Sequence, residues 1–284
     1  MTRESSTDGP QAISSDRQGT ANASPGGVAN DWAYAYTIAS FGGLLYFSKT
    51  DAGWFSLMAF VLMAVAATSY LFLQKKDFRE IFFYATVREQ SPLQFFRYRQ
   101  LGLLLVAAVL GIFLVLSLSV FLLTVSWMVL ATASLPLLLF PVLRRLYWRK
   151  LSPQFKTHSG LCLTNFLTTL TLGLLIMAFL MVGKWIELKF LLHDYHLATA
   201  GHMADYVIGK VEHSLLWLQH LGRTLNMLEL QVLRIHQYAE GGAAHFLLFY
   251  FLLPSTLAAF AIPVIFSGIY FLFKGKSRLE EGQD

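Results

Sequence analysis

The sequence predicts an all-α protein: a polytopic transmembrane helical bundle of about six spans, with an external amphipathic helical insert between spans five and six. Hydrophobic residues make up 55% of the 284 positions and charged residues only 14%, whereas soluble proteins have about 25% charged residues. Several apolar runs exceed the roughly 18 residues that require lipid. None shows the alternating pattern of a transmembrane β-barrel. A protein embedded in a lipid bilayer is therefore expected.

The apolar runs divide the chain into spans and connections. Residues 1–31 are too polar to bury a core and predict a disordered tail. The first run, 32–48, is barely long enough to cross at about 1.5 Å per residue, so it either crosses or lies in the interface. A kink is expected at the two prolines of the fourth span. The spans of this prediction are 32–48, 54–74, 101–123, 127–143, 160–183 and 244–273, followed by a short charged tail.

Basic residues set the predicted orientation. The segments 75–100 and 144–159 carry eleven Lys and Arg residues between them. The turns on the opposite side, 49–53 and 124–127, carry only Lys49. Because cytoplasmic loops collect Lys and Arg, the basic segments and both termini are expected in the cytoplasm, in a cell (inner or plasma) membrane. If the first run does not cross, the N-terminus moves outside.

The composition of the spans excludes several function classes. Apart from the first run, the predicted spans contain no Asp, Glu, Lys or Arg, which argues against a proton-coupled transporter, a rotary motor stator or carboxylate chemistry inside the bilayer. The motif Lys274-Gly-Lys-Ser lacks the upstream glycine of a phosphate-binding loop. No enzyme activity and no cofactor are predicted. The net charge of +5 is explained by the cytoplasmic loops, so no nucleic-acid partner is expected.

The fifth span is the most polar, and it contains the single cysteine, Cys162, which we interpret as a small packing residue. We expect the hydroxyl and amide side chains of this span to form hydrogen bonds between helices, with substrate contact as the alternative. These residues are Thr164, Asn165, Thr168, Thr169 and Thr171.

The basic segment 75–100 shows apolar residues near helical spacing, at Phe78, Ile81, Phe82 and Val87. This pattern predicts an amphipathic helix lying at the membrane surface after a span that ends at Lys75.

The external insert, 184–243, holds six of the eight histidines. Two apolar stripes predict two amphipathic helices that meet near Gly222, either as a hairpin or on the membrane surface. A candidate ligand site comprises His193, Asp194, His196, His202 and Asp205. The alternative is that these histidines bind nothing, and because they match no recognised metal spacing, no metal is predicted.

The layout resembles the permease subunits of ABC-2-type transporters. Those subunits have six spans with both termini inside, re-entrant helices outside between spans five and six, and a cytoplasmic coupling helix between spans two and three. Here the coupling helix corresponds to about 78–99, where the run Arg88-Glu-Gln-Ser-Pro-Leu-Gln-Phe-Phe-Arg leads into a span. The insert is longer than in that family, and the first external turn is shorter.

The resemblance implies a permease whose ATP hydrolysis occurs on a separate ATPase subunit, with an amphipathic substrate passing between two copies or between this chain and a similar one. The residues implied in coupling are Phe78, Arg79, Glu80, Phe82 and Arg88. Two other hypotheses remain open. One is a structural subunit of a membrane or secretion assembly that docks partners through the insert, and the other is a membrane metalloenzyme that uses the external histidines.

Overall fold

The computed structural model describes residues 31–50, 53–86, 100–155, 157–194, 216–224, 227–228 and 253–281, and within these ranges all regular structure is helical. The predicted N-terminal tail, most of the insert and the first residues of the last predicted span lie outside the described residues. In chain order the helices are α1 (Asp31–Lys49), α2 (Trp54–Thr86), α3 (Gln100–Thr124), α4 (Trp127–Ser134), a 3-10 helix (Leu135–Leu139), α5 (Phe140–Leu151), α6 (Thr157–Asp194) and α7 (Leu253–Glu281).

Five helical stretches of the described chain are long and apolar enough to cross a membrane, as expected for a multi-pass membrane protein. The predicted hairpin break between spans three and four is confirmed, because α3 ends at Thr124 and α4 begins at Trp127. The exact number of spans stays a prediction, since α1 is not among the five. These are Trp54–Ile81, Gln100–Thr124, Trp127–Leu151, Ser159–Gly183 and Thr256–Lys274.

The outer face of α3 shows why lipid must surround the bundle. Leu101, Leu105 and Val109 are spaced four residues apart and are all exposed. Four-residue spacing places them along one face of the helix. An unbroken row of large aliphatic side chains is unfavourable in water but is the normal surface of a helix in hydrocarbon.

The expected break at Lys75 is absent. The segment 75–86 continues α2 as one 33-residue helix, so its described part is not a separate helix lying at the membrane surface. Charged residues end a hydrophobic span, but Lys, Arg and Glu are good helix formers, and no Pro or Gly interrupts 75–86.

The fifth span likewise does not end at Gly183. Helix α6 runs for 38 residues and includes the first part of the predicted insert. Residues 216–224 form continuous helix with Gly222 buried within it, so the helix does not break at Gly222 itself. The prediction of two helices meeting near this residue otherwise falls outside the described residues. Glycine lowers helix propensity by about 1 kcal/mol, which close packing of the backbone readily offsets.

The fourth span is interrupted where its two prolines lie, as the sequence predicts. Pro136 lies within the 3-10 helix between α4 and α5, and Pro141 lies in the first turn of α5. Pro141 has no N–H, so the carbonyl of Leu137 lacks the usual donor four residues later. That carbonyl instead accepts from the Phe140 N–H and from the Tyr34 hydroxyl of α1, at 3.0 Å.

Helix α1 packs along the bundle with one stripe of side chains. Ala33, Thr37, Phe41 and Leu45 are buried at four-residue spacing. The Phe41 ring meets the Phe266 ring of α7 edge to face, with 5.7 Å between ring centres. Helix α1 is therefore an integral part of the core and not a peripheral segment.

Lys49, the last residue of α1, joins two connections that the sequence places on one side of the membrane. Its Nζ donates to the Leu122 carbonyl at 2.8 Å and also to the Val125 carbonyl. The ammonium lies 5.1 Å from the centre of the Trp127 ring. A cation at the end of α3 satisfies carbonyls that the helix leaves without partners. The two turns therefore lie at the same end of the bundle.

Two glycines allow α2 to approach its neighbours closely. A Cβ on Gly111 of α3 would lie 3.0 Å from the backbone N of Thr68 and 3.2 Å from its Cα. A Cβ on Gly268 of α7 would overlap the Ala66 carbonyl. Small residues at such crossings let helix backbones meet and gain van der Waals contact, which drives helix association in lipid.

We expect Gly111→Ala to lower the free energy of unfolding by about 1–3 kcal/mol, because the new methyl group meets backbone atoms that cannot rotate away. Gly102→Ala on the same helix is the matched control, since nothing lies within 4 Å of the added Cβ. Thermal unfolding of the detergent-purified protein measures both. Equal midpoints for the two variants would contradict this account of the crossing.

Candidate functional site

The central feature of the bundle is a buried arginine. Arg144 lies in the first turn of α5 and is only 3% exposed. It shares the buried face of α5 with Phe140, four residues earlier. The sequence places it in the basic segment 144–159, predicted to be a cytoplasmic loop, and the structure instead shows residues 140–151 as helix with Arg144 buried. The side of the membrane on which this segment lies stays a prediction. Because the helix restarts at Pro141, Arg144 turns toward the interior while Arg145 remains exposed.

The guanidinium of Arg144 contacts side chains of α7. Nη1 of Arg144 donates to the Tyr270 hydroxyl at 2.9 Å. The Cζ atom lies 5.1 Å from the centre of the Tyr270 ring and 5.7 Å from that of Phe271. A charge taken out of water is costly unless it is hydrogen-bonded or held against polarisable groups. The two aromatic rings and the phenol supply part of that stabilisation.

A chain of hydroxyl groups connects three helices beside this arginine. The Tyr70 hydroxyl of α2 lies 2.7 Å from Thr169 Oγ1 of α6. Thr169 Oγ1 lies 3.2 Å from Ser267 Oγ of α7. Tyr70 is buried, and its hydroxyl also lies 3.3 Å from the Asn165 carbonyl. Hydrogen bonds of this kind hold transmembrane helices in a defined register.

Phe271 joins the hydroxyl chain to the arginine. Its ring stacks on Tyr70 with 6.0 Å between ring centres, meets the Tyr270 ring edge to face and lies against the Arg144 guanidinium. We refer to Tyr70, Arg144, Thr169, Ser267 and Tyr270 as the Arg144 cluster. It lies where α2, α5, α6 and α7 meet.

The prediction that the polar residues of the fifth span bond to other helices is confirmed for two of them. Thr169 contacts α2 and α7 as described, and Thr171 Oγ1 lies 2.7 Å from the Tyr147 hydroxyl of α5. Thr168 donates within its own helix, to the Thr164 carbonyl at 2.7 Å. The Thr164 hydroxyl is buried and has no hydrogen-bond partner in the described part of the chain. Cys162 is buried, as expected for a packing residue.

The residues implied in coupling lie on the far part of α2. Phe78 is 37% exposed and meets the Phe166 ring of α6 edge to face, with 5.4 Å between ring centres. Arg79 and Glu80 are partly buried on the same helix. Phe82 belongs to α2, but its side chain lies outside the described residues, as does the whole of Arg88. Their coupling role stays a prediction.

The predicted external site falls mostly outside the described residues. His193 and Asp194 are the last two residues of α6, and nothing is described of their side chains. His196, His202 and Asp205 lie outside the described ranges. Among the described residues, no group of three His, Cys, Asp or Glu side chains lies close enough to hold a metal ion. Ligand binding by the external histidines is therefore untested.

Sequence reasoning missed the Arg144 cluster because five basic residues in a segment of 16 suggested a solvated loop. One local signal was present. Pro141 is favourable in the first turn of a helix, and a helix starting there places Arg144 one turn beyond Phe140, on the same face. The partner Tyr270 is 126 residues away in the chain and carries no comparable signal.

Comparison with known proteins does not assign this chain to a family. No protein-family model, no curated protein and no solved structure matches this chain. The arrangement can hold four helices together through hydrogen bonds and fix a positive charge in the interior of the bundle.

We expect Tyr270→Phe to lower the free energy of unfolding by about 1.5–3 kcal/mol, the usual range for a hydrogen bond to a charged group. The substitution keeps the ring under the guanidinium and removes only the acceptor of Nη1. Tyr46→Phe is the control, because Tyr46 is exposed and its described contacts are made by the ring. Thermal unfolding in detergent compares them. A loss no larger than that of Tyr46→Phe would contradict the stabilising role of the phenol.

Proposed function

We propose that the protein is the integral membrane permease subunit of a transporter that works with a separate ATPase subunit and moves an amphipathic substrate. The chain itself performs no catalysis and needs no cofactor in this proposal. The observation that supports it most directly is the continuity of α2 from Trp54 to Thr86.

Helix α2 extends well past the membrane. About 20 residues cross the hydrocarbon core, so the 12 residues from 75 to 86 add about 18 Å of helix at 1.5 Å per residue. This extension carries Phe78, Arg79 and Glu80. A partner that binds it would act on the same rigid helix that carries Tyr70 and the Ala66 carbonyl. Force applied outside the membrane would thus reach the Arg144 cluster without passing through a flexible connection.

The proposal includes a six-span topology with both termini in the cytoplasm of a cell (inner or plasma) membrane. Helix α1 supports a sixth span, because 19 residues make about 28 Å of helix. Its last residue, Lys49, contacts the α3–α4 turn, and Tyr34 near its first residue contacts the Leu137 carbonyl of the fourth span. We propose that substrate passes between this chain and a second copy or a similar chain.

We expect the double variant Arg79→Glu, Arg88→Glu to lose copurification of the ATPase by at least tenfold while its membrane abundance stays within twofold of the wild type. The reason is that reversing two charges replaces attraction by repulsion at the partner surface. The measurement is quantitative mass spectrometry of the tagged protein after gentle detergent purification.

The matched control is Lys75→Glu, Lys76→Glu, which reverses the same number of charges at residues of α2 outside the proposed coupling residues. Retention of the ATPase by the control and loss by the test variant would support a specific surface. If no nucleotide-binding ATPase copurifies with the wild type at near one-to-one ratio, the transporter proposal fails.

The external side of the bundle favours a second function, that of a structural subunit in a larger membrane or secretion assembly. Leu218 of the 216–224 helix packs on Val120 and Leu123 near the end of α3. Trp217 and Leu221 of the same helix are exposed, Trp217 by 52%. The described part of the insert is therefore fixed to the bundle and presents an apolar surface beside its anchor, which suits a docking role.

We expect Trp217→Ala, Leu221→Ala to release an assembly partner if the second function is correct, because large exposed aromatic residues dominate binding energy at interfaces. The matched control is His220→Ala, Thr224→Ala, which truncates two exposed residues of the same helix. Mass spectrometry of copurified proteins compares the variants. Full retention of every partner by both variants would remove this function.

A further inference from the structure

Helix α5 has two faces of opposite character. Phe140 and Arg144 are buried against the bundle. On the other side, Val142 is 59% exposed and Leu146 is 44% exposed. The exposed residues of the last turns are basic: Arg145, Arg149 and Lys150.

Along the fourth span, the basic residues begin at a distance from Trp127 that equals the thickness of the hydrocarbon core of a bilayer. From Trp127 through α4, the 3-10 helix and the first turns of α5, the chain rises about 30 Å. This equals the thickness of the hydrocarbon core. Arg145 therefore lies at the boundary of the core, and Arg149 and Lys150 lie one turn further, at the depth of the phosphate groups.

No carboxylate along the chain is near enough to neutralise these cations. The segment 144–159 contains no Asp or Glu, and neither do the four residues before Arg145. The helical spacings that form ion pairs, three and four residues, are therefore occupied by uncharged or basic residues. Along α5 itself, the exposed face therefore presents positive charge with no carboxylate at ion-pair spacing.

The apolar part of the same face fits an acyl chain. Leu138, Leu139, Val142 and Leu146 are all exposed and precede or accompany the basic residues along the span. A phospholipid lying against this face would place its acyl chains on the aliphatic side chains and its phosphate beside the cations. A soluble anion would use only the cations, and a soluble protein would leave the aliphatic surface uncovered.

We propose that Arg145, Arg149 and Lys150 form a binding surface for the headgroup of anionic phospholipids, in the leaflet at the end of the bundle where α5 ends. The occupant is a phospholipid of net negative charge, such as phosphatidylglycerol, in preference to a zwitterionic one. The inference needs the chain to span a membrane but does not depend on a transport function.

Lipid at this surface would act on the interior through one helix. Arg144 follows the 3-10 interruption of the span and bonds to Tyr270, while its neighbour Arg145 faces outward on the same turn. A headgroup that holds Arg145 and Arg149 therefore restrains the rotation of α5 on which the Arg144 contact depends.

The test is native mass spectrometry of the full chain in dodecyl maltoside micelles, titrated separately with phosphatidylglycerol and with phosphatidylcholine. The wild type is expected to retain phosphatidylglycerol preferentially. The variant Arg145→Gln, Arg149→Gln is expected to bind it about 30-fold more weakly, because each cation near an anionic surface contributes roughly a fivefold factor. Arg145→Lys, Arg149→Lys keeps both charges and is expected to keep most of the binding.

The control Lys75→Gln, Lys76→Gln removes two charges on α2 and is expected to change the affinity by less than threefold. An equal loss in this control would mean a general effect of net charge and would overturn the proposal. So would a wild type that retains both lipids equally, or a glutamine variant that binds as the wild type does. Competition by inorganic phosphate would show a soluble-anion site and would also overturn it. Size-exclusion profiles and unfolding midpoints verify that each variant is folded.

Discussion

The close approach of α7 to α2 at Gly268 is the contact on which the interior of the bundle depends. Any side chain at this position would overlap the Ala66 carbonyl. The neighbouring residues Ser267 and Tyr270 supply α7's contribution to the Arg144 cluster. Hydrogen bonds tolerate errors of only a few tenths of an ångström. The absence of one side chain therefore sets the distance at which Ser267 and Tyr270 meet their partners.

The burial of the charged residue Arg144 inside an apolar bundle explains why the fourth span is interrupted. Arg144 and Arg145 are adjacent in the chain, yet one is buried and the other exposed. The first is held by a phenol and two rings, and the second is exposed on the outer side of α5. The 3-10 interruption at the two prolines sets the rotation of α5 that separates them. Tyr34 of α1 compensates for the hydrogen bond that Pro141 removes, so α1, which is not among the five candidate spans, has a structural reason to be in the bundle.

The proposed ATPase-coupling surface and the proposed lipid surface would act on the Arg144 cluster through different helices. A partner on the α2 extension would act on Tyr70, and a lipid on α5 would act on Arg144. Phe271 contacts both residues. In these proposals, both the α2 extension and the lipid surface on α5 act on Phe271 and the Arg144 cluster.

The sequence alone determined which segments meet lipid, where the tight hairpin between spans three and four lies, where the fourth span breaks, and that Thr169 and Thr171 of the fifth span bond to other helices. These features depend on the summed free energy of transferring neighbouring side chains from water to lipid and on the geometry that proline imposes. Both can be read from a short stretch of sequence. Only the tertiary structure decided that α2 and α6 continue past their hydrophobic ends, that Gly222 lies within a helix, and that Arg144 is buried. A charged residue ends the apolar stretch that can cross the membrane, but it does not end the helix. The burial of Arg144 depends on a partner 126 residues away, whose position is set only when the helices pack.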